Sequence, residues 1–220
     1  MAEFTVDQAR AFYDRFGRKQ DWQRFYEDPA IGLLIEHAAF NQAHRIFEFG
    51  CGTGRFAQRL LRDVVPADCR YVGIDVSGTM VNIARQRLQE WSGRAEVRLS
   101  DGSARLEEPD RSVDRFVSNY VFDLLGPEKI AGVLSEAHRV LVPEGLLGLV
   151  SLAHGCGRFA RLVSKAWQRI HSLSPALLGG CRPLDLTEFL GARWNVRYLD
   201  SVTTFGLTSQ VLVASPVAVR

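Results

Sequence analysis

Three glycines, Gly50, Gly52 and Gly54, stand within five positions in the stretch FEFGCGTGRF, and Glu48 lies two residues ahead of the first. Glycines spaced like this let a ligand come against the backbone and let the chain take positive φ. Two kinds of ligand compete for such a loop. Gly52-Thr53-Gly54-Arg55-Phe56-Ala57 matches the G-x-G-x-x-A form of a dinucleotide phosphate loop, and Asp75, about twenty residues on, is placed to hold a ribose. Glu48 separates the two readings. A carboxylate aimed at the ligand's middle repels a pyrophosphate and attracts an α-ammonium group. The pattern E-x-G-x-G-x-G therefore favours a ligand with an ammonium and no phosphate, with Asp75 accepting both ribose hydroxyls in a charge-assisted pair.

Positioning these residues takes alternating elements. A helix is expected over 5–17, where Val6, Ala9, Phe12, Tyr13 and Phe16 recur at helical spacing. A second is expected from Pro29, a good first-turn residue, to Ala43. RIFEF then reads as a buried strand leading into the glycine loop and a helix, RFAQRLLRDVV. RYVGID follows as a strand ending on Asp75, with Ser77 as N-cap of GTMVNIARQRLQEW. AEVRLS, VDRFVSNYV and GLLGLVSLA are the third to fifth strands, with a helix starting at Pro127 between the last two. Five β-then-α units call for a parallel sheet with helices on both faces. WNVRYLDSVTTF and SQVLVAS close the chain as a strand pair, and residues 156–193 between them and the fifth strand read as mostly helical. The expected fold is α/β, a Rossmann-like seven-stranded sheet, mostly parallel with a C-terminal antiparallel pair. One domain is expected: an N-terminal helical lid (1–43), a binding core (44–154), a helical cap insertion (155–193) and the strand pair (194–220). In the insertion, Arg158, Arg161, Lys165 and Arg169 form one basic helical face opposite an apolar one, which suits a helix packed on the sheet, a lid over an apolar or aromatic acceptor, or contact with an anionic membrane surface.

Composition narrows the class. With 220 residues and 46% hydrophobic content, the chain suits one well-buried core. A net charge of +2 gives no global argument for nucleic acid. Cys51, Cys69, Cys156 and Cys181 form no CxxC pair and no zinc-type spacing, and scattered thiols suit a reducing, cytoplasmic setting. No metal site is expected. No apolar run approaches the ~18 residues of a membrane span, and the charged N-terminus lacks a signal pattern. His154, just past the fifth strand, has an imidazole suited to proton transfer. Tyr13 on the first helix and Tyr120 and Asp123 after the fourth strand are further candidates, while His37, His44, His138 and His171 are expected to be structural.

S-adenosylmethionine has the required ammonium, a sulfonium and no phosphate. The sequence resembles the class I S-adenosylmethionine-dependent methyltransferases, the broad group that includes small-molecule and quinone or lipid-headgroup methylases. FEFGCGTGRF resembles the first motif of that family, YVGIDVSGTMVNIARQRL its second, LSDGSA its third, DRFVSNYVFDLL its fourth and EAHRVLVPEGLLGLVSLAHG its fifth-strand block. Glu144-Gly145 departs from the usual pair of glycines in that block. The resemblance implies that Glu48, Gly50, Cys51 (a small filler), Gly52 and Gly54 surround the methionine end, with the loop amides facing its carboxylate. It implies that Asp75 holds the ribose, that Val76, Met80 and Leu106 line the adenine slot, that Asp101 accepts the adenine amino group beside Gly102 and Ser103, and that Asn119 lies next to the methyl group. Tyr13 would touch the cofactor from an N-terminal helix. The expected activity is in-line methyl transfer to a small molecule of apolar or aromatic character, with Tyr13 and His154 as the catalytic candidates and no nucleic-acid partner. The exocyclic-amine motif Asn-Pro-Pro-Tyr is replaced by Asn119-Tyr120-Val121-Phe122. A non-catalytic cofactor-binding regulator and a nicotinamide-dependent oxidoreductase remain the alternatives. Neither the acceptor nor the oligomeric state is legible.

Overall fold

The protein is described by a computed structural model covering residues 5–155 and 181–217. Helix α1 (Val6–Phe16) opens on a capping box in which Gln8 N donates to Thr5 Oγ1 at 3.2 Å and Thr5 N donates to Gln8 Oε1 at 2.9 Å. A 3₁₀ stretch, Gly17–Gln23, runs straight into α2 (Arg24–His37). The second helix thus begins upstream of Pro29 and ends before Ala43, against the expectation. Tyr26, Glu27, Ala30, Ile31 and Leu34 form one buried stripe that crosses Pro29, whose ring faces solvent, so packing outweighs the lost backbone bond. The helix stops where Ala39 takes a left-handed conformation (φ 47°).

The sheet follows as β1 (Arg45–Phe49), α3 (Arg55–Asp63), β2 (Arg70–Asp75), α4 (Gly78–Arg87), β3 (Ala95–Leu99), β4 (Val113–Asn119), α5 (Pro127–Val140), β5 (Leu141–Ala153), β6 (Trp194–Thr204) and β7 (Leu207–Pro216). Its strand order is β3-β2-β1-β4-β5-β7-β6, with β1 to β5 parallel and β7 antiparallel to both β5 and β6. This is the mixed seven-stranded sheet expected from the sequence. Successive strand residues feed opposite faces. Ile46, Tyr71 and Val117 join α2, α3 and α4 in one core cluster, while Phe47, Phe116 and Leu147 join α5 in the other. β5 begins four residues earlier than GLLGLVSLA suggested, because its start pairs with Val113 and a bulge then absorbs the turn around Gly145.

The helical expectation for 156–193 meets only one 3₁₀ turn, Leu186–Phe189, among the described residues. There the backbone amides go to the sheet and to the turn after β4 instead: Leu184 N donates to Leu152 O at 2.9 Å, Arg182 N to Asp123 O at 3.0 Å and Leu186 N to Gln210 Oε1 at 2.6 Å. The amphipathic segment from Gly157 to Gly180 lies outside the described residues.

Candidate functional site

The strand order reverses between β1 and β4, and the carboxyl ends of strands at such a point form the binding crevice of α/β sheets. A cavity of about 490 Å³ opens there. Its floor is the glycine loop between β1 and α3. Gly50 sits at φ +78°, and a Cβ on it would come within 2.3 Å of Val121 Cγ2, so the loop tolerates no side chain at this point. Gly50 N and Cys51 N both donate to Ile74 O at 2.9 Å, Gly52 N donates to Asp75 Oδ2 at 2.9 Å and Gly54 N to Cys51 O at 2.9 Å. The expectation that these loop amides face a ligand carboxylate is therefore corrected for all four: each is satisfied by the protein's own oxygens, which fixes the loop's shape. Gly54 is the left-handed N-cap of α3.

Asp75 stands in the cavity wall with its carboxylate clamped by Gly52 N and by Ser77 N, which donates to Oδ1 at 2.9 Å. The capping of α4 is done by Ser77, whose Oγ accepts from Met80 N at 3.1 Å. Asp75 is thus left with outward lone pairs for two hydroxyls. Burial raises its pKa above the usual carboxylate range against those amide bonds.

Glu48 is 2% exposed. Tyr71 donates its hydroxyl to Glu48 Oε2 at 2.5 Å, and Asn119 Nδ2 donates to Oε1 at 3.3 Å. Tyr71 reaches it because Gly73 leaves the space open: a Cβ there would lie 2.5 Å from the Tyr71 hydroxyl. Burial pushes the Glu48 carboxyl up to about 7. The side chain does not form the wall of the large cavity. It lines a smaller one of about 90 Å³ on the far side of the loop, which shares Gly50, Gly52, Asn119, Tyr120 and Gln20 with the large one. With Asn119 Nδ2 committed to Glu48, Asn119 Oδ1 is left buried with no partner among the described residues, and so is Gln20 Oε1. Gln20 Oε1 lies over the loop, 3.0 Å from where a Cβ on Gly52 would be. Two orphaned acceptors and a carboxylate around one glycine loop suit a ligand group rich in N–H donors, and they oppose a phosphate.

Val76, Met80 and Gly102 stand in the wall of the large cavity with Ile74 and Ser100. Asp101 and Ser103 do not. Ser103 N donates to Asp101 Oδ1 at 2.7 Å in an exposed turn that borders an outer groove, so the carboxylate is turned from the cavity while Gly102 backs onto Val6. Leu106 is core. Cys51 is buried beside the smaller cavity, and burial raises its thiol pKa well above the ordinary value, away from the reactive thiolate. His154 is exposed just beyond β5. Among the described residues no group of three or more His, Cys, Asp or Glu could hold a metal ion.

The roof is the N-terminal segment. Val6, Ala9 and Tyr13 of α1 and Gln20 of the 3₁₀ stretch line the cavity, yet α1 buries no residue fully. Polar clasps hold it. Arg10 Nε donates to Val76 O at 3.1 Å, and Asp14 Oδ1 accepts from Ser77 Oγ at 2.6 Å. Asp21 pairs with Arg87 at 2.5 Å and accepts from Thr53 Oγ1 at 2.7 Å. Burial raises the Tyr13 pKa well above its ordinary value, helped by nearby Cys181 and Asp123, so its hydroxyl stays protonated at neutral pH. Gln20 and Tyr71 were not legible as site residues. A glycine in mid-strand at position 73 was the one available signal for Tyr71, and Gln20 had none. Asp123 is fully buried after β4, and burial lifts its carboxyl to about 7 against hydrogen bonds that include one with Cys181.

Residues 46–145 match the family described as a methyltransferase domain. The chain is 31% identical over 137 residues to the tRNA N(3)-methylcytidine methyltransferase Mettl2 of Drosophila melanogaster, covering 61% of this chain and 42% of that protein. It is 26% identical over 118 residues to the carboxy-S-adenosyl-L-methionine synthase of Aeromonas hydrophila, covering 54% and 47%. The chain spans about half the length of these curated relatives. In fold it is similar to a chain in the complex between the Trm112 methyltransferase activator and a putative methyltransferase of Haloferax volcanii, with a TM-score of 0.73 at 15% identity, covering 96% of this chain and 99% of that one.

Proposed function

We propose that this chain is a class I S-adenosylmethionine-dependent methyltransferase, a reading supported by the match of residues 46–145 to a methyltransferase domain, and that it transfers a methyl group to a small-molecule acceptor of apolar or aromatic character. The observation that carries the cofactor side is the pair of orphaned oxygens, Gln20 Oε1 and Asn119 Oδ1, set with Glu48 around the glycine loop. They would hold the α-ammonium of the methionine end. Asp75 would accept the ribose hydroxyls, and Val76, Met80 and the backbone at Ser100 and Gly102 would flank the adenine. The cofactor supplies an electrophilic methyl group on a sulfonium, open to in-line displacement.

The chain's own part is mostly positioning. Holding a nucleophile in line and close supplies much of the rate for such a displacement, and a base is required only where the nucleophile keeps its proton. Tyr13, protonated in the roof, would orient the bound groups by donating a hydrogen bond. His154, at the carboxyl edge of the sheet, would take a proton where the acceptor carries one. A nucleic-acid acceptor is the second reading, favoured by the likeness to a tRNA methyltransferase.

Calorimetry with S-adenosylhomocysteine and with NADH tests the cofactor, and binding of NADH alone would overturn the reading. Mass spectrometry of an acceptor panel that includes bulk tRNA tests the acceptor. A gain of one CH₂ on a small molecule is expected, and a gain confined to tRNA would favour the second reading.

A further inference from the structure

A file of aromatic rings runs from the protein surface to the cavity wall. Phe205 and Phe25 have centroids 5.8 Å apart, Phe25 and Tyr26 are 5.2 Å apart, and Tyr26 meets Tyr120 edge-on at 5.8 Å. Exposure falls along the file, from 81% at Phe205 and 53% at Phe25 to 7% at Tyr26. Tyr120, at its inner end, lines both cavities, and its hydroxyl is 2.8 Å from Ser209 Oγ.

Two backbone features make the file costly to keep. Tyr120 has φ 55°, a left-handed conformation unfavourable for a bulky residue. Phe205 and Gly206 form the two-residue β6–β7 turn with φ 50° and 85°, a geometry in which Asn, Asp or Gly normally occupies the first position. A phenylalanine there, four-fifths exposed, gains almost nothing from packing. Both residues lie at the carboxyl edge of the sheet, where the binding crevice opens, and strain at such a place points to function.

Beside the outer rings is a groove of about 760 Å³ whose wall includes Arg24, Phe25, Arg55, Arg59 and Arg62. Arg55 is spent on Glu27 and Asp28, and Arg62 on Asp63. Arg24 and Arg59 form no ion pair or hydrogen bond among the described residues. Arg59 also borders the smaller cavity with Asn119 and Tyr120, so it stands between groove and site.

We propose that Phe205, Phe25, Tyr26 and Tyr120, with Arg24 and Arg59 alongside, form the docking surface of the acceptor, and that the acceptor is a planar or apolar molecule carrying one phosphate-like anionic group. The rings take the flat body by stacking, and the two guanidinium groups take the anion. Charge in this groove favours a single anionic group over a nucleic-acid strand. Strand binding rests on several phosphate contacts, roughly 6–10 for a protein with steep salt dependence. Here acidic side chains interleave the arginines, and among the described residues Arg24 and Arg59 are the groove's arginines without a close ion pair, which suits a single anionic group. The proposal rests on the small-molecule reading above and names its substrate class.

The test is calorimetric titration of the full chain, saturated with S-adenosylhomocysteine, with 1-naphthyl phosphate, 1-naphthol, inorganic phosphate and a short oligouridylate. The aromatic phosphate is expected to bind about tenfold or more tighter than either of its halves, with a log–log salt slope no steeper than about −2. Arg24→Gln with Arg59→Gln should remove the advantage over 1-naphthol. Phe25→Ala with Phe205→Asn should remove the advantage over phosphate, and Asn suits the turn, so folding is preserved. Phe25→Ala with Phe205→Asn should keep S-adenosylhomocysteine affinity within about twofold, since neither ring lines the large or the smaller cavity. Equal binding of 1-naphthol and its phosphate, or wild-type binding in either double variant, overturns the proposal. Tightest binding of oligouridylate with a slope steeper than about −3 overturns it in favour of a strand. Failure of S-adenosylhomocysteine itself to bind overturns the cofactor reading instead, and the same titrations without it still read the docking surface.

Discussion

Asp75 and Glu48 are both carboxylates beside one loop, but their surroundings assign them different work. Asp75 is clamped by two backbone amides and faces the cavity. Removing it as Asp75→Ala should weaken S-adenosylmethionine binding by about 1.5–3 kcal/mol, the usual size for a lost charged hydrogen-bond pair. Unchanged affinity in the folded variant, read by calorimetry, would sink the ribose assignment. Glu48 is buried behind the loop with its carboxyl pushed up to about 7, so in the free protein it is part protonated near neutrality. An ammonium arriving at the loop favours the charged form and lowers that pKa. Binding should therefore release a proton, and affinity should rise as pH increases toward about 7.5 and then level off. Glu48→Gln keeps the shape and the Tyr71 hydrogen bond, and it should weaken binding and flatten the profile. Calorimetry in buffers of different ionisation enthalpy reads the proton directly. A variant that binds as well as the native chain, with the same pH dependence, would show that the charge is irrelevant.

At the scale of elements, the N-terminal segment is attached by polar clasps rather than by core burial. Its contacts to the core can therefore loosen without unfolding the sheet. Asp21 is the central clasp, joining the 3₁₀ stretch to Arg87 on α4 and to Thr53 in the glycine loop. Asp21→Asn should cost the roof about 1 kcal/mol, seen as roughly fivefold faster cofactor release in stopped-flow. The thermal midpoint should move by only a degree or two. A large loss of stability with unchanged release would mean that the segment is part of the core after all. The glycine loop is the opposite case. It is rigid, because its amides are consumed by Ile74, Asp75 and Cys51, and Val121 occupies the space a Gly50 side chain would need.

Across the whole molecule, three buried carboxyls, Glu27, Glu48 and Asp123, are each pushed to about 7, in every case chiefly by burial. Their native values exceed their unfolded ones, so between about pH 4.5 and 7 the native state binds more protons than the unfolded chain. The stability they contribute is complete below that window and is lost as pH rises through it, on the order of 3–4 kcal/mol per group at most. The ligand-free protein should therefore unfold at a lower urea concentration at about pH 8 than at about pH 5.5, and bound cofactor should narrow the gap by stabilising charged Glu48. A midpoint that rises over this range would contradict the burial assigned to these groups. Three such groups at one edge of the sheet are a cost that the core on both faces of the sheet must offset, and such costs gather where a protein binds and reacts.

The alternation of strands and helices, the glycine loop after β1 and the acid closing β2 were legible in the sequence, because each depends on periodicity or spacing within a short window. The same holds for the β6–β7 pair, whose strands are separated by only two residues. The start of α2 was not, since the stripe that carries the helix past Pro29 is selected by β5, β6 and β7, whose residues lie more than a hundred positions away. Nor could spacing tell that Asp101 would turn outward while Gly102 faces the cavity, a choice made by one side-chain to backbone bond. Gln20 over the loop, Tyr71 behind Glu48, and the rings of Phe25, Tyr120 and Phe205 meet only after folding. Local pattern specifies which backbone forms, but side chains from distant segments become neighbours only through packing, and it is packing that decided which polar atoms of this site were left without a partner.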